Sequence, residues 1–168
     1  GVRCERVFAP APDFREALTD HSIPLFTLES RIPLSDCDLI GFSMGYELSV
    51  TNMLACLDLG NIPLSAAQRR EGDPIVIAGG PAVSNPFPFS DFLDAVFIGE
   101  AEEPLPRITK ILAQKKQKNA GRDDLLSVLY SEESVWYPEK KEITRKAIWQ
   151  GFGQKSSIHR FPVPNIRI

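Results

Sequence analysis

Ser43, Gly79, Gly80, Gly99 and Glu100 stand at the ends of three apolar runs, DLIGFS, IVIAGG and VFIGE. A glycine has no Cβ, so Gly79 and Gly80 either turn the chain sharply or let a bulky ligand lie along the main chain. Pro81 then fixes the exit. The Ser43 hydroxyl both donates and accepts, which suits a ring nitrogen or a phosphate, or equally a capping role for the helix that follows. Glu100 and Glu102 could receive sugar hydroxyls; for Glu102 and Glu103, support of the next helix N-terminus is the better reading.

Other chemistry is harder to assemble. GxxxxGK[ST] and GxGxxG are both absent. GFSMG at Gly41 to Gly45 spells GxSxG, but a nucleophilic serine in that motif needs an acid and a base later in the chain. His159 is the one histidine that follows, so a hydrolase is not expected. Cys4, Cys37 and Cys56 show no metal spacing, and an odd number gives no disulfide framework, so they read as reduced thiols in a cytoplasmic protein. His21 and His159 are isolated. At 43% hydrophobic and 24% charged residues, with no apolar run near membrane length, the chain reads as soluble. The net charge of −3 conceals a division: Lys140 to Ile168 holds seven Lys or Arg against one acid, leaving −9 on the first 139 residues. No RNA-binding motif accompanies that basic stretch, so nucleic acid is an unfavoured partner and domain docking the favoured one.

The elements that must position these residues follow from periodicity. Arg6 to Pro10 is a strand candidate, and Pro12-Asp13 opens a brief helix to Asp20. Leu25 to Leu28 reads as extended. Asp38 to Ser43 is apolar without alternation, as in a strand buried on both faces. Glu47 to Leu59 has Val50, Met53, Leu54 and Leu57 at helical spacing, with Gly60 as its C-terminal cap. Ser65 to Arg70 reads as a short helix, Ile75 to Ala78 as a strand, and Val96 to Ile98, with Asp94 as an alternative start, as another. Acids before Pro104, then Leu105, Ile108, Ile111 and Leu112 on one face and lysines at 115, 116 and 118, match a helix and its dipole. A last helix spans Asp123 to Tyr130. Such alternation predicts a mostly parallel sheet with helices on both faces, whose ligands bind beyond the carboxyl ends of the strands. The division expected is an α/β domain over residues 1–131 and a strand and linker segment over 132–168.

Two long stretches, DLIGFSMGYELSVTNMLACLDLGNIPL and DPIVIAGGPAVSNPFPFSDFLDAVFIGEAEEPLPRI, closely resemble the cobalamin-binding-like domain that precedes the catalytic barrel in many radical SAM proteins. The nearest likeness is to a bacterial group of radical SAM fusion proteins that shares ERVFAP, IPLFTLESR and FPVPNIRI as well. It covers nearly the whole chain and is weakest from Glu133 to Lys155. The resemblance implies a flavodoxin-like, Rossmann-like sheet whose first, central strand lies outside this sequence, and hence self-association or an altered strand order. It also places the CxxxCxxC motif, the [4Fe-4S] cluster and S-adenosylmethionine in a catalytic domain in cis, beyond Phe161 to Ile168.

By the same resemblance, Ser43 matches a serine that contacts the nucleotide base of cobalamin, and Gly79 and Gly80 match glycines along its nucleotide tail. Gly99-Glu100 begins a GEGE signature. This sequence departs from the pattern at Ala101, at Gly45 where the pattern has leucine, and in lacking DxHxxG, so no residue is assigned to cobalt. The implied function is an accessory N-terminal domain that presents, or formerly presented, a corrinoid to the radical site, without catalysis of its own. The alternative is a scaffold or interaction domain that holds no cofactor.

Overall fold

The computed structural model describes residues 1–151; Phe161 to Ile168 and His159 lie outside them. Three apolar runs form parallel strands, β1 (Leu39–Ser43), β2 (Ile75–Gly79) and β3 (Ala95–Phe97), and β4 (Val135–Trp136) pairs antiparallel with β3. The order is β1-β2-β3-β4, an α/β arrangement of flavodoxin-like type. The sheet thus takes in residues beyond 131. Side chains alternate across it. Ile40, Val76, Ala78 and Val96 enter one core cluster, while Ile75, Ile77, Ala95 and Phe97 enter the other. α1 (Pro12–Asp20) and α2 (Val50–Leu59) supply Leu18, Met53 and Leu57 to the first cluster. α3 (Pro104–Lys116) and α4 (Arg122–Tyr130) supply Ile108, Leu112, Leu125 and Leu129 to the second. A strand buried by helices on both faces has no polar face to show, which is why these runs lack alternation. Among the described residues no helix is long and apolar enough to cross a membrane.

Helix ends follow the sequence closely. Pro104 opens α3, and Lys115 and Lys116 fall in its last turn beside the unpaired carbonyls. α2 is preceded by a 3-10 turn at Glu47–Ser49, so the helical stretch starts where expected but tightens in its first turn. Gly60 occupies the C-cap of α2 with an ordinary φ of −82°; the left-handed residue is Asn61, at 56°. Asn61 N–H donates to the Asp58 carbonyl at 3.0 Å and Ile62 N–H to that of Leu57 at 2.9 Å, the paired bonds of a Schellman ending. Gly60 is needed for space, since a Cβ there would lie 2.9 Å from the Cys56 carbonyl oxygen.

Two expectations are corrected. Arg6 to Pro10 forms no strand: the Arg6 N–H is taken by the Glu29 carboxylate at 2.7 Å and its carbonyl by Leu28 N–H at 2.9 Å. Ser65 to Arg70 makes only a 3-10 turn, Ala66–Gln68. The reason is Arg69, whose side chain leaves the local turn for the interior and bonds the carbonyls of Pro63, Leu64 and Phe92.

Arg69 belongs to the most polar part of the core. Its Nη1 meets Asp94 Oδ2 at 3.0 Å, Arg122 Nη2 meets Asp94 Oδ1 at 2.6 Å, and Val76 N–H also donates to Oδ2 at 2.7 Å. Arg122 adds bonds to the Asp73 and Pro74 carbonyls. One carboxylate thus joins the starts of β2, β3 and α4 and the turn before β2. Burial draws Arg69 below its usual basicity while the Asp94 charge opposes that shift. The cluster lies at the amino ends of the strands, opposite the candidate ligand rim.

Tyr130 closes this end. Its ring stacks on Tyr137 with centroids 4.0 Å apart, and its hydroxyl donates to the Asp94 carbonyl at 3.3 Å. Burial, reinforced by the Asp94 charge, pushes the phenol up to about 12. Because the folded state holds this proton more tightly than the unfolded chain does, its stabilisation is complete below pH 10 and is lost as pH rises towards about 12. Absorbance of tyrosinate should accordingly show one late step that Tyr130→Phe removes. If that variant leaves the alkaline titration unchanged, this environment for Tyr130 is wrong.

Candidate functional site at the carboxyl rim

The parallel register brings the five rim residues to one end of the sheet. Ser43 pairs with Gly79, Gly79 pairs with Phe97, and Gly99 and Glu100 follow two and three residues later. What each residue does there differs from residue to residue. Ser43 is exposed and leaves α2 uncapped, since no side chain caps either the helix or the turn before it. Gly79 is ordinary strand, and a Cβ on it would make normal contact with the Phe97 carbonyl oxygen at 3.6 Å.

Gly80 is different. It has a φ of 110°, and a Cβ there would lie 2.5 Å from the Met44 carbonyl oxygen. The loops after β1 and β2 are clasped at this point, with Met44 N–H donating to the Gly79 carbonyl at 2.8 Å and Ala82 N–H to that of Met44 at 3.2 Å. The space a ligand would use beside Gly80 is filled by main chain.

Gly99 repeats the arrangement with a distant partner. Its φ is 109°, and a Cβ would fall 2.5 Å from the Ala147 nitrogen. Ala147 N–H donates to the Ile98 carbonyl at 3.0 Å, and Glu100 N–H returns a bond to the Ala147 carbonyl at 2.9 Å. Glu100 Oε2 then accepts the Trp149 N–H at 2.6 Å. This carboxylate is engaged by the chain itself. Glu103 sits at the N-cap position of α3 without a side-chain capping bond, so it aids the helix through its charge alone.

As a cradle for a corrinoid, this rim does not fit. Two of its glycines are filled by Met44 and Ala147, and Glu100 is bonded to Trp149. Two clefts among the described residues, about 440 Å³ beside Pro10, Arg15 and Asn52 and about 300 Å³ beside Glu132 and Arg145, are lined by none of the five residues. Neither Cys37 nor Cys56 is a ready nucleophile. Burial raises the Cys56 thiol, and burial together with Glu5, Asp38 and Asp36 raises Cys37, which keeps both protonated and unreactive. Among the described residues no three His, Cys, Asp or Glu side chains gather as a metal site.

Met44, Ala147 and Trp149 were not legible as rim residues. They act through main-chain atoms, which leave no mark in residue type. The paired glycines were the one available signal, since each implies something pressed against the backbone, without saying what.

No curated protein and no solved structure matches the chain. A family model does, over residues 1–138, described as radical SAM proteins, N-terminal. With most of its length matched by that model, the chain belongs to the family of N-terminal domains of radical SAM proteins.

Proposed function

We propose that this domain is an accessory docking and covering module for the radical SAM catalytic domain of its parent protein, and that it works without holding a corrinoid. The observation behind this reading is the self-filled rim: Gly80 and Gly99 make room for the chain's own backbone rather than for a ligand. The surface near the rim is apolar enough to serve a protein partner. Tyr46 and Leu48, in the segment after β1, are 58% and 74% exposed, and Ile148, beside the end of β3, is 67% exposed. Aromatic and aliphatic side chains left in water beyond the strand ends are what a protein interface would bury. The redox and radical chemistry belongs to the catalytic domain.

Corrinoid presentation is the second reading, and one observation favours it. Ser43 is exposed at the rim, and nothing lies within 4 Å of a Cβ on nearby Gly45, so that corner is open.

Two measurements decide. Hydroxocobalamin mixed with the protein and passed through a desalting column should leave a protein fraction without a corrinoid spectrum. A retained spectrum, weakened by Ser43→Ala, would replace our reading with the second. Hydrogen exchange should separately show peptides containing Tyr46 and Leu48 protected in the full-length parent relative to this chain; equal exchange in both would remove the docking role.

A further inference from the structure

The polypeptide after β4 turns back onto the sheet. Lys140 gathers the carbonyls of Glu132, Glu133 and Val135, at 3.3, 3.3 and 2.6 Å, and Arg145 N–H reaches the Glu133 carbonyl at 3.0 Å. Ala147 then forms a parallel bridge with Gly99 beyond the end of β4, and Trp149 N–H ends on the Glu100 carboxylate. The segment is bound along its main chain. Its side chains are anchored less deeply than the core: Ala147 packs against the second core cluster and Trp149 is half-buried, but Ile148 is 67% exposed and Arg145 and Lys146 are exposed. A stretch held at the surface mainly by a few hydrogen bonds, with no fully buried side chain, opens at lower free-energy cost than the core. It also lies past the residues that match the family model.

We propose that Arg145 to Trp149 is a releasable strap closing the carboxyl rim, with Glu100 as its latch and Gly99 as the gap that admits it. Glu100 acts at its carboxylate on the Trp149 N–H and at its own N–H on the Ala147 carbonyl, so a single residue fixes both ends of a three-residue span. This claim concerns contacts within the chain and stands whether or not the docking reading holds.

The test is hydrogen exchange resolved to single amides, with trypsin cleavage after Arg145 and Lys146 as a second readout. In the unaltered chain, the Ala147 and Trp149 amides should be protected relative to the neighbouring residues 139–143. Glu100→Ala should speed exchange at both, and cleavage, by about tenfold, the loss expected for a hydrogen bond to a charged group. Glu100→Gln keeps an acceptor oxygen and should restore most of the protection. Amides of Val76 to Ala78 report the core and should not change. If Glu100→Ala disturbs them as well, Trp149→Pro, which removes the donor and leaves Glu100 intact, takes its place with the same expectation at Ala147. The proposal fails if Ala147 and Trp149 exchange as fast as residues 139–143 in the unaltered chain. It fails equally if the variant that leaves the core intact leaves their protection unchanged.

Discussion

Asp94→Ala should cost about 3–5 kcal/mol of folding stability, the penalty for breaking a buried ion pair and stranding its partner. The effect is large because two cations are stranded at once. Arg69 has a side chain wholly removed from solvent and Arg122 one that is 9% exposed, and Asp94 is the carboxylate that pairs with both. Val76 N–H would lose its acceptor as well. Asp94→Asn is the sharper variant, since it keeps shape and one acceptor oxygen while leaving two buried positive charges uncompensated. It too should be strongly destabilised. Urea unfolding followed by circular dichroism gives the number. A loss under about 1 kcal/mol for both variants would mean that water or rearrangement solvates the arginines and that the cluster does not hold the strand starts together.

Gly80→Ala should lose about 2–4 kcal/mol, whereas Gly45→Ala should change stability by less than about 0.5 kcal/mol. Both are glycines of the same rim, separated by one physical difference. Gly80 has a φ of 110° and main chain 2.5 Å from where its Cβ would be; Gly45 has open space. Backbone cannot step aside as a flexible side chain can, so the Met44 loop must move and its two hydrogen bonds to the Gly79–Ala82 turn must stretch. Thermal unfolding of the two variants side by side tests this. Gly80→Ala with the stability of the unaltered protein would show the space beside Gly80 to be free, and would return that glycine to the ligand-lining role implied by resemblance. The comparison also guards any ligand-binding experiment on Gly80. A bulkier residue there is expected to weaken folding whether or not a ligand exists, so loss of binding in such a variant is meaningful only if the core amides remain protected.

The sequence by itself determined the order and kind of the elements that make the sheet. Ile75 to Gly79 and Ala95 to Phe97 are apolar on successive residues because both faces of those strands are covered, and that demand is written directly into residue type. Pro104 at the start of α3 and the lysines at its end were legible for the same reason, as local rules acting within one turn of the chain. Even the placing of Ser43, Gly79 and Gly99 on a common rim followed from parallel topology alone. The tertiary structure decided what those positions touch. Arg69 looked like part of a short surface helix until the fold brought Asp94, 25 residues away, within 3.0 Å of it. Gly99 and Glu100 looked like the start of a ligand loop, yet they meet Ala147 and Trp149 from the far end of the domain. A glycine records only that something lies close to the backbone. Whether that is a cofactor or another stretch of the same chain is settled by contacts between residues far apart in sequence, and main-chain partners such as Met44 and Ala147 can supply those contacts without any particular side chain to announce them.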